Sequence, residues 1–147
     1  MTEMTNKMTI TCTLVPESLR TSITADLFSA YFPLQLEPTI FSFACRLSED
    51  YSGGYWDFYQ LGNGGFYMTP QLVACDGKGK RYQVTSLNGH EGMMSADALG
   101  ITACLFAYSH LSFGQGVFAE TCAEQYHLLR EFVFSHAEAG EIFRAID

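Results

Sequence analysis

The segment from Tyr51 to Pro70 constrains the fold of this chain more than any other part of its sequence. It contains the only tryptophan, six other aromatic residues and five glycines within twenty positions. Alternating aromatic side chains are typical of a half-buried strand, and the run from Gly62 to Gly65 can supply the positive φ angles of a tight turn. The sequence therefore predicts a β-hairpin here, with one strand on each side of the glycine-rich run.

Helical patterns lie on both sides of this hairpin. Apolar residues at four-residue steps predict a helix that begins near Pro16 and ends before Pro33. Residues 38–47 fit a helix or a strand by periodicity, and length favours the helix. Ser95 is a suitable N-cap for the next helix, which is apolar nearly all round and therefore expected to be buried. Three helices are predicted after the hairpin, at about residues 96–112, 118–133 and 137–146.

A third strand is predicted from Arg81 to Leu87, where apolar and polar residues alternate after a turn. Three short antiparallel strands would form a small meander, and helices occupy separate parts of the sequence. This order indicates an α+β fold, with a small three-stranded antiparallel meander packed with about four or five helices. The length of the chain predicts a single domain over residues 1–147, in which residues 1–8 form a loose N-terminal tail.

The charge of the chain argues against a nucleic-acid-binding protein. Sixteen acidic residues face only eight lysines and arginines, giving a net charge of -8. Binding to phosphates requires a face rich in Lys and Arg, so no direct nucleic-acid binding is expected. The one basic cluster, Lys78, Lys80 and Arg81, is expected to be a solvated loop.

The sequence predicts a cytoplasmic protein without a membrane segment. The N-terminus has no signal-peptide pattern, and the apolar helix near residues 96–112 is too short and too interrupted to cross a bilayer. Five cysteines occur without a close pair, which argues against a zinc or redox motif and predicts reduced, mostly buried thiols. No cofactor is predicted.

Several residue sets could carry chemistry, but none has a specific signature. Glu124 and His127 form a Glu-x-x-His pair, yet a di-iron site needs a second such pair, so a solvated helix face is favoured. The glycine run in the hairpin leads into a strand, whereas a phosphate loop leads into a helix. Two sets could supply a nucleophile and a base: Cys104 with His110, and Cys75 with His90 and Asp76. A cryptic Cys/His-dependent hydrolase is therefore kept as the alternative function.

Four motifs occur in order along the chain: SGGYWDFYQLGNGGFYM from Ser52, SLNG from Ser86, MSADALGI from Met94 and AYSH from Ala107. They resemble the antirestriction family that includes the ArdB and KlcA proteins of plasmids and other mobile elements. The similarity extends from about Pro16 to Asp147. It implies a small bacterial α+β protein that protects incoming DNA from type I restriction enzymes, without an enzymatic reaction of its own.

The distribution of acidic residues bears on the mechanism that this resemblance implies. A DNA mimic must match one charge per ~1.7 Å of duplex, and the acids here are too dispersed for that. We therefore expect a shaped surface that binds either a type I restriction-modification complex or a host factor that controls it. Candidate positions are the outer face of the hairpin, the loop before the Ser95 helix and the acidic C-terminal helices. The candidate residues are Tyr55, Asp57, Tyr59, His90, Glu91, Glu138, Glu141 and Asp147.

Overall fold

A computed structural model describes residues 9–71 and 80–147 of the chain. Its strands and α-helices are β1 Cys12–Leu14, α1 Arg20–Phe28, α2 Glu37–Leu47, β2 Trp56–Leu61, β3 Phe66–Pro70, β4 Arg81–Thr85, β5 Glu91–Ser95, α3 Ala96–Ser112, α4 Val117–Val133 and α5 Ala139–Ile146. A 3₁₀ turn, Glu17–Leu19, precedes α1, and a π-helical turn, Phe32–Leu36, precedes α2. Within the described residues the α+β class and five α-helices are confirmed. The predicted tail, residues 1–8, lies outside them.

The strands form two small antiparallel sheets. One sheet has the order β1-β2-β3, and the other consists of β4 and β5. The predicted strand at Arg81 exists as β4, but it pairs with β5 instead of extending the β2–β3 hairpin into a meander. The outer edge of β3 is closed by helices, because the N–H of Phe66 donates to Gln125 of α4 and the N–H of Met68 points at the Cys104 sulfur of α3.

The third strand of the larger sheet comes from the N-terminal side of the chain. Cys12–Leu14 pairs with Tyr59–Leu61 at the free edge of the hairpin. All three residues of β1 are exposed, so the segment lacks the alternation that marks a half-buried strand. This explains why the sequence did not predict it.

The two helices before the hairpin agree with the sequence analysis. The helix predicted to stop before Pro33 ends at Phe28, where Ser29 adopts a φ of 55°. Residues 38–47 are helical, which confirms the choice of helix over strand. Pro38 lies in the first turn of α2, where a missing N–H leaves no intrahelical bond unmade.

The buried centre of the structure is α3, which packs against α2, α4 and β3. Ser95 caps this helix as predicted, since its hydroxyl oxygen accepts a hydrogen bond from the Ala98 N–H at 3.1 Å. Gly100 allows α3 to approach β3 closely, because a Cβ there would lie 2.5 Å from the Met68 carbonyl oxygen and from the Thr69 Cα. None of the described helices combines the length and the apolar character that crossing a bilayer requires.

The aromatic residues of the hairpin divide between its two faces. Trp56 and Phe58 are buried. The Phe58 ring packs edge-to-face against Phe32 at 5.5 Å. Trp56 packs against Phe41 of α2 at 5.2 Å, and its indole N–H donates to the Tyr51 hydroxyl at 3.0 Å. The inward face of β2 therefore belongs to the core, which leaves the opposite face for contact with other groups.

Candidate functional site

The C-terminal segment is tied to the smaller sheet and to the start of α3 by a set of polar contacts that we call the C-terminal clamp. Its residues are His136, Glu138, Glu141, Arg144 and Ala145, which lie in and just before α5. They contact the β4–β5 turn, the Ser95 cap and Asp97. Three of the eight predicted surface residues, His90, Glu138 and Glu141, belong to these contacts.

The Glu138 carboxylate has two partners within the protein, Ser95 and Arg81. Its two carboxylate oxygens accept hydrogen bonds from the Ser95 N–H at 3.0 Å and from the Ser95 hydroxyl at 2.5 Å. Arg81 lies 3.8 Å from the same carboxylate, whose side chain is 19% exposed. Glu138 therefore fixes α5 to the N-terminus of α3, and little of its charge is free to face a partner.

Glu141 and His90 are brought together at the turn of the smaller sheet. His90 Nε2 lies 3.0 Å from one Glu141 oxygen, and the Arg144 guanidinium lies 3.2 Å from the other. Two side chains of the same turn bind the end of α5: Ser86 donates to the Ala145 carbonyl, and Asn88 donates to the Arg144 carbonyl at 2.8 Å. The loop that the sequence singled out at His90 is thus held against the last helix.

A second polar group connects the larger sheet with the clamp through Asp97. Its carboxylate accepts a hydrogen bond from the Tyr67 hydroxyl at 2.9 Å, and His136 Nε2 lies 2.7 Å from its other oxygen. The Glu138 N–H donates to His136 Nδ1 at 2.9 Å, so the neutral ring carries its proton on Nε2 and donates to Asp97. Both ring nitrogens are occupied, which leaves neither as a base for a substrate.

Burial determines the protonation state of Tyr67. Desolvation raises the pKa of this phenol far above its usual range, and the adjacent Asp97 carboxylate raises it further. Tyr67 therefore stays protonated and keeps its hydrogen bond to Asp97. The Cys12 sulfur lies 3.4 Å from the same phenolic oxygen, which joins β1 to this group.

The three predicted surface residues of the hairpin differ in their exposure and in their contacts with the rest of the chain. Tyr55 is 83% exposed. Asp57 lies 3.7 Å from the Arg20 guanidinium, and the Tyr59 ring stacks on Tyr67 at 5.1 Å. Tyr67 also stacks on Phe132 of α4 at 5.8 Å, so the hairpin face is partly covered by its own chain.

The predicted surface residues therefore fall into two groups. Tyr55, Asp57 and Tyr59 lie on the larger sheet, and the other five lie on the clamp and the smaller sheet. Of these five, Glu91 and Asp147 are exposed, and both stay open positions for contact with a partner. The whole set remains a prediction, and the structure adds that Glu138 and Glu141 have internal partners.

The thiols of the described residues give little support for a nucleophile. Cys104 is fully buried, its sulfur lies 3.6 Å from the Met68 carbonyl oxygen, and burial raises its pKa to about 12. His110, its proposed base, is exposed and packs against the Phe43 ring. Cys75 and Asp76 of the second candidate set lie outside the described residues. The described residues also hold no group of three or more His, Cys, Asp or Glu side chains arranged to bind a metal ion.

The prediction of mostly buried cysteines is half right for the four that the structure describes. Cys104 and Cys122 are buried, whereas Cys12 and Cys45 are exposed. Cys12 lies on the exposed strand β1, and Cys45 lies on the outer face of α2, between the buried positions Ala44 and Leu47. All four are free thiols.

One surface feature was missed by the sequence analysis. Phe113 and Val117 border the connection between α3 and α4 and are 86% and 79% exposed. The signal in the sequence was the placement of two bulky apolar residues around Gly114-Gln115-Gly116, a short loop in which polar residues are usual. Both residues lie between the predicted helices at 96–112 and 118–133, and no prediction was made for them.

Comparison with known proteins shows the family to which this chain belongs. The sequence profile of the family described as "Antirestriction protein" matches residues 49–147. The chain therefore belongs to the antirestriction protein family. It is 36% identical over 146 residues to the antirestriction protein KlcA of Escherichia coli, an alignment that covers 97% of this chain and 99% of that protein. It is also 41% identical over 139 residues to the uncharacterized protein YafX of Escherichia coli K12, covering 94% and 88% of the two chains.

A solved structure shows the same fold. It superimposes with a TM-score of 0.85 at 36% identity and covers 99% of this chain and 100% of its own. The study of that solved structure describes the KlcA and ArdB proteins as having a novel fold, with antirestriction activity against type I DNA restriction systems in vivo but not in vitro. The match confirms the resemblance to the antirestriction family and the predicted α+β fold class.

Proposed function

We propose that this protein protects incoming DNA from type I restriction enzymes inside the bacterial cytoplasm, and that it acts by binding a protein instead of by catalysis. The observation that carries the proposal is the full-length similarity to a chain with antirestriction activity against type I systems in vivo. That similarity covers both sheets and all five described helices. The elements that form the fold of the relative are therefore present here.

The same comparison favours an indirect mode of action. Activity in vivo but not in vitro, as described for KlcA and ArdB, indicates that a cellular component is needed besides the restriction enzyme. Of the two partners that the sequence suggested, a host factor that controls the restriction complex therefore has more support than the complex itself. A direct inhibitor would block a purified enzyme.

The charge pattern of the structure argues against DNA mimicry. The most acidic part of the sequence is its C-terminal segment, and here the Glu138 and Glu141 carboxylates bind Ser95, His90 and Arg144. These contacts remove two acids from an array that was already sparse. A mimic needs exposed carboxylates at phosphate-like spacing, about one per 1.7 Å of duplex.

Direct DNA binding receives no more support than mimicry does. Arg20 lies over the Phe58 ring at 4.4 Å and beside Asp57, and Arg144 pairs with Glu141. Cations that already have partners inside the protein contribute less to phosphate binding than free ones do. A protein-binding surface is the alternative that fits both the charge and the exposed side chains.

Catalysis is disfavoured by the state of the groups that would perform it. The Cys104 thiol is inaccessible and has a raised pKa, and reactive cysteines need the opposite environment. His110, the base proposed for Cys104, packs against the Phe43 ring, and in the described residues the hydrogen bonds of the Cys104 sulfur are to Met68. A hydrolase would need the base within hydrogen-bond reach of the nucleophile.

The proposal is tested by plating unmodified phage on cells that carry a type I restriction system. We expect at least about ten-fold higher plating when this protein is expressed, and no effect in cells without the restriction system. A parallel assay with purified restriction enzyme and purified protein should show no inhibition. Equal plating with and without the protein would overturn the proposed function, and inhibition of the purified enzyme would overturn the indirect mode.

The predicted surface can be tested in the same cells through its exposed members. Glu91→Lys with Asp147→Lys changes two charges that the structure leaves exposed, and Tyr55→Ala removes the exposed ring of the hairpin. Charge changes at Glu138 are a poor test, because they would also break the Ser95 contact. Unchanged protection by all three substitutions, at unchanged protein level, would exclude these positions.

A further inference from the structure

An apolar patch lies where α3 turns into α4. Its residues, which we call the α3–α4 patch, are Tyr31, Phe113, Val117 and Phe118. Phe113 and Val117 are 86% and 79% exposed, and Tyr31 is also exposed. Clustered apolar side chains of this size on a soluble protein mark a contact site, whereas single exposed ones are ordinary.

The patch is held in a defined shape. The Tyr31 ring stacks on Phe118 at 4.8 Å with 18° between the planes, which joins the segment between α1 and the π-helical turn to the start of α4. The connection itself is fixed by the hydrogen bond from the Phe113 N–H to the His110 carbonyl and by Gly116, whose φ of +93° disfavours other residues. An apolar surface that is ordered before binding loses less conformational entropy on association.

Acidic residues border the patch on its α4 side. Val117, Glu120 and Glu124 are spaced three and four residues apart on α4, so they share one helix face, and both glutamates are exposed. The sequence contains no Lys or Arg from residue 82 to residue 129, or from residue 21 to residue 45. On the α3 side, His110, one turn before Phe113, packs against the Phe43 ring, and the Arg46 guanidinium lies over the same ring at 5.0 Å. The patch is therefore apolar with an acidic border along α4.

This combination selects the kind of partner. We propose that the α3–α4 patch is the docking surface for a protein whose own apolar contact is bordered by Lys or Arg. The proposal rests on the proposed function, because it names the surface through which that partner is bound. A second copy of this chain would place Glu120 and Glu124 near like charges, and an anionic membrane would be repelled in the same way.

The test replaces the two most exposed residues of the patch. Phe113→Ser with Val117→Ser removes apolar surface that makes little contact within the protein, so stability should change by no more than a typical surface substitution does. The matched control is Leu14→Ser with Leu19→Ser, two residues that are 53% and 47% exposed and lie on β1 and on the 3₁₀ turn before α1. A third variant, Glu120→Lys with Glu124→Lys, changes only the border.

The variants are compared by phage plating on restricting cells, at matched protein level and with thermal unfolding of each purified protein. We expect the Phe113/Val117 variant and the Glu120/Glu124 variant each to lose at least about ten-fold of the protection, and the control to keep it. Full protection by the Phe113/Val117 variant would overturn the assignment of the surface. Loss in that variant with full protection by Glu120→Lys/Glu124→Lys would overturn the basic border of the partner.

The test separates this proposal from the proposed function. If the unsubstituted protein gives no protection, the proposed function fails, and the docking proposal that rests on it fails as well. If the unsubstituted protein protects and the Phe113/Val117 variant protects equally, only the surface assignment fails. Sedimentation that shows a dimer lost in the Phe113/Val117 variant would identify the occupant as a second copy and overturn the proposed partner.

Discussion

Glu138 holds Ser95 with both oxygens of its carboxylate, one bonded to the Ser95 N–H and one to the Ser95 hydroxyl. Ser95 at the same time caps α3 by accepting from the Ala98 N–H. One carboxylate therefore fixes the start of the central helix and the start of α5 together. A residue predicted to lie on an interaction surface therefore also has a structural role.

This relationship predicts unequal effects for the two glutamates of the clamp. Glu138→Ala should lower the free energy of unfolding by about 1.5–3 kcal/mol, because it removes charge-assisted hydrogen bonds to partly buried groups. Glu141→Ala should lower it by less than about 1 kcal/mol, because its ion pairs are more exposed. Urea unfolding of the two purified variants measures the difference. Equal effects would contradict the assigned role of Glu138.

The close approach of α3 to β3 at Gly100 predicts that a larger residue at this position destabilises the protein. Gly100→Ala should destabilise the protein by about 1–3 kcal/mol, since its Cβ would meet the backbone of Met68 and Thr69, which cannot rotate away. Gly114→Ala is the matched control: the nearest atom to its Cβ would be the Leu111 carbonyl oxygen at 3.4 Å, an ordinary contact distance. Thermal unfolding compares the two. A stable Gly100→Ala protein would show that α3 is free to move off the strand.

The thiols should react in a defined order. Cys45 is exposed and should be alkylated first, and Cys12 should follow more slowly because partial burial raises its pKa. Cys104 and Cys122 should react only on unfolding, since burial raises the pKa of both to about 12 and a thiol reacts as its thiolate. Peptide mapping after timed alkylation at pH 8 gives the order. Early labelling of Cys104 in the folded protein would show that its thiol is reactive and would support it as a candidate nucleophile.

The buried phenol of Tyr67 predicts that the folded protein becomes less stable at alkaline pH. Its pKa is raised by burial in the folded protein, whereas the unfolded chain ionises near pH 10. Its contribution is therefore fully present below about pH 10 and decreases as the pH rises further, by up to about 1.4 kcal/mol per pH unit. Tyr67→Phe should reduce this slope, although it costs about 1 kcal/mol at pH 7 through the lost bond to Asp97. Urea unfolding of both proteins from pH 7 to 11 measures how the free energy of unfolding changes with pH. Equal slopes for the unsubstituted protein and for Tyr67→Phe would contradict the assignment.

Local signals predicted the parts of the fold that local interactions form. The glycine run between aromatic strands gave the β2–β3 hairpin, and the Ser95 cap with an apolar run gave α3. The pairing of strands depends on contacts between distant residues, so β1 and the partner of β4 could not be predicted. β1 has no buried side, and the free edge of β3 is closed by Gln125 and Cys104 of helices that lie far along the chain.

The candidate site was predicted in part for the same reason. His90 and Glu141 were both chosen from sequence, but nothing local indicates that they touch across 51 positions. Asp97 binds Tyr67 and His136 at separations of 30 and 39 residues, which no local pattern indicates. The exposure of Phe113 and Val117 was not predicted, because hydrophobicity alone does not distinguish a buried side chain from an exposed contact.

The C-terminal clamp has a consequence for how the protein is made. Ser86 and Ala145 are 59 residues apart, and Ser95 and Glu138 are 43 apart. At synthesis rates of about 5–20 residues per second, the β4–β5 hairpin and the start of α3 leave the ribosome seconds before the helix that holds them. During that interval the surfaces that Ile142 and Ala145 later bury face the solvent, so the nascent chain is the form most open to chaperones and proteases.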